Sequence, residues 1–205
     1  TPLRQLNETV AGASMHLFEP RPAYRVNSGG SGGDIDPEPL PGKALIHYYF
    51  AETPADAITL EILDAEGRIV RSFSNDSATS EENNESPISA DAGMNRATWD
   101  VMYSGLDPVE GAVLWGYGGG VKAPPGTYRV RLRANGETLT RPVQVLKDPR
   151  LEDVTQRDFE EQFRLAIAIR DTLNQVYDAI RQTQSVREQV VAAGERAEEA
   201  GSTEE

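Results

Sequence analysis

The chain changes its hydrophobic rhythm once, near residue 150. Before that point apolar positions recur every second residue, as they do where one face of a strand is buried. Residues 44–50 (ALIHYYF) are rich in strand-forming types, and Ile58, Leu60 and Ile62 alternate with Thr59 and Glu61. Residues 64–67 turn the chain back into 69–73, a hairpin in which Gly67 is free to take a positive φ. Residues 95–101 give a further strand with Trp99 pointing inward. The clearest alternation sets Tyr128, Val130 and Leu132 against Arg129, Arg131 and Arg133. Asn135-Gly136, the residue pair of a type I′ hairpin, then leads to a return strand through Leu139, Val143 and Val145. Arg141 falls on the apolar parity of that strand, unless a bulge at Pro142 resets the register. Residues 74–92 carry almost no apolar anchor and read as an exposed loop.

After Asp153 the period is helical. Thr155 with Asp158 three residues on is a capping box, which places the helix start. Phe159, Phe163, Ala166, Ile167, Arg170, Leu173, Val176, Tyr177 and Ile180 follow at spacings of three and four, an apolar stripe that continues through Val186 and Val190. Ser185 with Glu188 repeats the cap signal, so the pattern fits one helix or a helical hairpin. Unbroken, 155–193 would run roughly 58 Å. Several short strands with turn signals, and no helices between them, predict a mainly β fold: an antiparallel, immunoglobulin/fibronectin-like β-sandwich followed by a long C-terminal helix. The divisions are 1–43, a Pro/Gly-rich extended connector; 44–147, the sandwich; 148–193, the amphipathic helix; and 194–205, an acidic disordered tail.

A net charge of -13 argues against nucleic acid and anionic lipid as partners, because a phosphate backbone needs Lys and Arg to neutralise it. The absence of cysteine removes disulfides and thiolate metal sites. No apolar run is long enough to span a membrane. The chain begins at Thr1 without a signal-peptide pattern, and reads as a processed protein or a piece of a larger one.

Candidate chemistry is sparse. Only His16 and His47 are available, and no nucleophile elbow accompanies them, so a Ser-His-Asp triad is disfavoured. Acids cluster in loops without aromatic neighbours to raise a pKa, which weakens a paired-carboxylate glycosidase reading. Asp34, Asp36 and Glu38 have a spacing that can present oxygens to Ca²⁺, but Pro37 and Pro39 restrict the backbone, and a solvated linker is the expectation. Residues 116–120 (GYGGG) lack the ending of a phosphate loop. The arginine row at 129, 131 and 133 is expected to pair with Glu61 or Glu137 across the sheet. No catalytic residue, metal ligand or cofactor is therefore expected.

Residues 58–71 (ITLEILDAEGRIVR), 93–100 (GMNRATWD) and 123–132 (APPGTYRVRL) resemble the C-terminal region of exported bacterial β-propeller proteins of the BNR-repeat, sortilin-like glycosyl hydrolase type. Residues 2–6 and 16–25 (HLFEPRPAYR) are similar to that family's link out of its propeller, and Asp148-Pro149-Arg150, Gln162-Phe163 and Ile169-Arg170-Asp171 to its helical tail. The sandwich stretch also resembles the immunoglobulin-like domains of flagellar hook-capping and secreted-protein sorting modules. The propeller itself is absent: no Ser-x-Asp-x-Gly-x-Thr-Trp box occurs, so the resemblance carries no catalytic residue to this chain. The family's return helix is also missing, and 194–205 turn acidic instead.

The resemblance and the helix stripe together imply an exported, non-catalytic structural module, periplasmic or extracellular, with other protein subunits of a larger envelope assembly as partners. One concrete form is a periplasmic-side subunit of a photosynthetic or respiratory complex. The alternative is a carbohydrate-binding or spacer module of a propeller glycosidase. Candidate partner contacts are Leu173, Val176, Tyr177 and Ile180 on the helix, Leu17 and Phe18 in the connector, and Trp115 and Tyr117 in the glycine-rich loop.

Overall fold

A computed structural model describes residues 4–26, 41–83, 85–113 and 119–202, the side chains of 197–202 excepted. Eight strands form two sheets, and one long helix follows them. The strands are β1 (Met15–Leu17), β2 (Ala23–Arg25), β3 (Ala44–Phe50), β4 (Thr59–Leu63), β5 (Ile69–Ser74), β6 (Gly93–Trp99), β7 (Gly126–Ala134) and β8 (Glu137–Lys147). The helices are α1 (Glu8–Ala11), α2 (Ser77–Glu82) and α3 (Gln156–Ser202). One sheet has the order β1-β3-β6, the other β2-β8-β7-β4-β5. Every pairing is antiparallel except that of β2 with β8, which is parallel.

Alternation builds the core. In β3 the buried residues are Ala44, Ile46, Tyr48 and Phe50, and in β7 they are Tyr128, Val130, Leu132 and Ala134. These side chains join one cluster fed by both sheets. Trp99 of β6 belongs to it, fully buried, with its ring edge-on to Tyr128 of β7 at 5.1 Å and its Nε1 donating to the Met102 carbonyl at 2.8 Å. The β7–β8 turn takes the two positive φ angles its residue pair predicts, 50° at Asn135 and 77° at Gly136.

Three expectations need correction, and one open alternative is resolved. The connector is not simply extended: β1 and β2 pair with β3 and β8, adding one strand to each sheet. No bulge forms at Pro142, because β7 and β8 stay in register from Gly126↔Val145 to Ala134↔Glu137. Pro142 instead lies where β2 no longer covers β8, an edge position that tolerates its missing N–H. Arg141 keeps its place opposite Val130 and donates from Nε to the Leu17 carbonyl at 3.1 Å. The described residues of 74–92 are anchored rather than loose. Asp76 caps α2, Ser80 is fully buried with its hydroxyl on the Ser74 carbonyl, and Ile88 N–H bonds back to Ser74.

Finally, α3 continues unbroken past both Ser185 and Gly194, so neither the hairpin nor the frayed tail forms within it. One glycine costs about 1 kcal/mol in a helix, and the Ala, Glu and Arg residues around it are strong helix formers. Forty-seven residues make a helix of about 70 Å. Its start is the capping box: Thr155 N–H donates to the Asp158 carboxylate at 2.8 Å, and Asp158 N–H returns to the Thr155 hydroxyl at 3.3 Å. Two compact units divide the chain, Thr1–Ser104 with Gly120–Arg164 and Gly105–Gly119 with Leu165–Glu205.

Candidate functional site

In the first unit the opening turns of α3 belong to the fold. Phe159 is buried beneath the Arg25 guanidinium, which lies 4.5 Å above its ring. Arg25 is itself fixed by the Ala123 carbonyl at 3.1 Å and Gln162 Oε1 at 2.8 Å. Phe163 packs its ring against Tyr103 at 4.7 Å.

In the second unit α3 carries two distinct faces. Asn174 Oδ1 accepts from the Asp107 N–H at 2.9 Å, and Arg181 donates to both the carbonyl and the carboxylate of Asp107 at 3.1 and 2.7 Å. Arg170, Asn174, Tyr177 and Arg181 are half-buried along that face. The other face is bare. Ile169, Leu173, Val176 and Ile180 are 53%, 40%, 50% and 37% exposed, and Leu165, Val186, Val190 and Val191 extend the surface in both directions. At 100° per residue the two faces lie roughly 100° apart, so spacings of three and four alone merge them into one stripe. Tyr177 belongs to the half-buried face, whereas Leu173, Val176 and Ile180 belong to the open one.

The distribution of charge separates the faces further. Between residues 165 and 193 the charged residues are Arg170, Asp171, Asp178, Arg181, Arg187 and Glu188. Five of them cluster on the side of Arg170, and Arg187 alone falls on the open face. An apolar surface depleted of charge, in a chain this acidic, has the composition of an interface core.

The remaining chemistry is dispersed. His16 and His47 both titrate below the ordinary histidine value, through burial first and then the nearby Arg141 and Arg96 respectively. Among the described residues, no group of three or more His, Asp or Glu could hold a metal ion. A cleft of about 450 Å³ is lined by Arg25, Lys43, Asp100, Met102 and Lys122, but Arg25 is already committed to Phe159 and Ala123, and Lys122 donates to the Val26 carbonyl. Two of the arginine row pair across the sheet as expected: the buried Glu61 receives Arg131 at 2.7 Å and Arg133 at 3.7 Å.

Leu17 and Phe18 are 0% and 1% exposed, so neither is presented to a partner; Leu17 points into the shared core from β1. Trp115, Tyr117, Asp34, Asp36 and Glu38 lie outside the described residues. Asp107 was missed in the sequence, because a lone loop aspartate gives no signal of the helix it holds. No helix among the described residues is long and apolar enough to cross a membrane. Compared with known proteins, the chain matches no family model and no curated sequence.

Proposed function

We propose that this protein is a non-catalytic structural module that docks into a larger assembly through the open face of α3. The observation that carries the reading is the bare row of Ile169, Leu173, Val176 and Ile180 beside a face already satisfied by Asp107. Covering the exposed part of such a row would add burial worth about 1 kcal/mol per large aliphatic side chain, a drive toward a partner surface. On this reading the two sheets are an immunoglobulin-like sandwich. The resemblance to the tails of exported propeller proteins supports a periplasmic or extracellular setting, as an extrinsic subunit of a bacterial envelope or membrane-associated complex. A photosynthetic or respiratory complex is the concrete version.

Co-purification from the native source tests this directly. Val176→Asp with Ile180→Asp should abolish recovery of bound subunits while the free protein at high dilution melts as wild type, since both side chains are solvent-facing in the single chain. Full recovery of the subunits with that variant would refute the reading.

A further inference from the structure

Resting on the reading of α3 as a docking element, we infer that its open face pairs with the same face of a second copy of this chain, the two helices running antiparallel. Positions 166, 169, 173, 176, 180, 183, 187 and 190 alternate in steps of three and four, the spacing of a coiled-coil seam. Apolar residues fill all of them but Thr183 and Arg187. The flanking positions on one side, Leu165, Thr172, Ala179 and Val186, are also uncharged and can close over the seam.

Charge selects the occupant. Two molecules of net charge -13 repel at long range, yet the acids near this face, Asp171, Asp178 and Glu188, are turned to the other side of the helix. A basic partner would find no carboxylate here to pair with. A second copy meets a surface as neutral and apolar as its own.

Arg187 selects the direction. In a parallel, in-register pair it would face its own counterpart across the seam. In an antiparallel pair with its two-fold axis midway between Val176 and Ile180, Ala166 of one copy faces Val190 of the other, Ile169 faces Arg187, Leu173 faces Thr183 and Val176 faces Ile180. Each bulky residue then meets a smaller or flexible one. The Arg187 stem can lie along Ile169 with its head group in water. The two Arg187 residues stand the rise of eighteen residues apart, about 27 Å, while Ala179 of each copy sits beside the axis.

The chain contains no cysteine, so single cysteines report cleanly. Sedimentation equilibrium of the full chain should show a dimer at micromolar concentration. Val176→Asp with Ile180→Asp should weaken that dimer about 100-fold or more. Under mild oxidation Ala179→Cys should link the copies, and Arg187→Cys should not, because a disulfide needs Cα atoms within about 7 Å. Linkage through Arg187→Cys as efficient as through Ala179→Cys would overturn the antiparallel arrangement, and a dimer indifferent to the double variant would place the contact elsewhere. A monomeric wild type whose native partners are lost in the same variant would overturn self-pairing and leave docking standing. A monomer with undiminished partner recovery would overturn both.

Discussion

Arg181 grips Asp107 twice, through its carbonyl and its carboxylate, and so fixes which side of α3 is closed and which is open. The carboxylate contact is an exposed ion pair, of the kind worth about 0.2–1 kcal/mol, and its role is orientation rather than stability. Asp107→Ala should therefore leave the melting temperature within a few degrees of wild type. In that variant, hydrogen exchange should quicken across 105–113 and stay unchanged in β7.

Trp99 is where the two sheets depend on one side chain. Trp99→Ala should cost about 3–5 kcal/mol, read from denaturant unfolding, because it removes the Tyr128 contact and the bond to Met102 and leaves a cavity. Trp99→Phe should recover much of the loss. An undisturbed Trp99→Ala would mean that the core is not centred there.

The arginine row should divide sharply by position. Arg131→Ala leaves the nearly buried Glu61 carboxylate with only the more distant Arg133, and should cost about 1.5–3 kcal/mol. Arg129→Ala, on an exposed side chain, should fall within about 0.5 kcal/mol of wild type in the same chemical unfolding series.

These rows also show what was legible in the sequence. The β7–β8 hairpin was, because Asn135-Gly136 and strict alternation agree locally, and the start of α3 was, because Thr155 and Asp158 satisfy one another over three residues. The strands β1 and β2 were not: three residues are too short for a period, and their pairing is decided by β3 and β8, far along the chain. Leu17 and Phe18 accordingly looked available when they are core. The stripe on α3 was readable as apolar but not as two faces, since the partner of one face is a loop aspartate some seventy residues earlier.

Both histidines titrate below the ordinary histidine value of about 6.5, because burial disfavours the charged imidazolium. The unfolded chain binds those protons more readily, so the stability they confer is complete above about pH 6.5 and declines as the pH falls toward the folded values. Glu85, raised by burial despite Arg71, acts in the opposite sense, favouring the fold as it protonates. Between neutral pH and about pH 5, His16→Asn and His47→Asn should each lessen the loss of melting temperature as the pH falls, whereas Glu85→Gln should increase it. A slope unchanged by the histidine variants would contradict this.

The proposed docking face is best read by thiol accessibility in the native assembly. Val176→Cys places a single thiol on the open face, and Asp178→Cys places one on the charged side of the same turn. In the isolated subunits at high dilution both should be alkylated at similar rates. Within the assembly the thiol at 176 should be protected at least about tenfold while that at 178 stays reactive. Equal labelling of the two thiols in the assembly would contradict docking through this face.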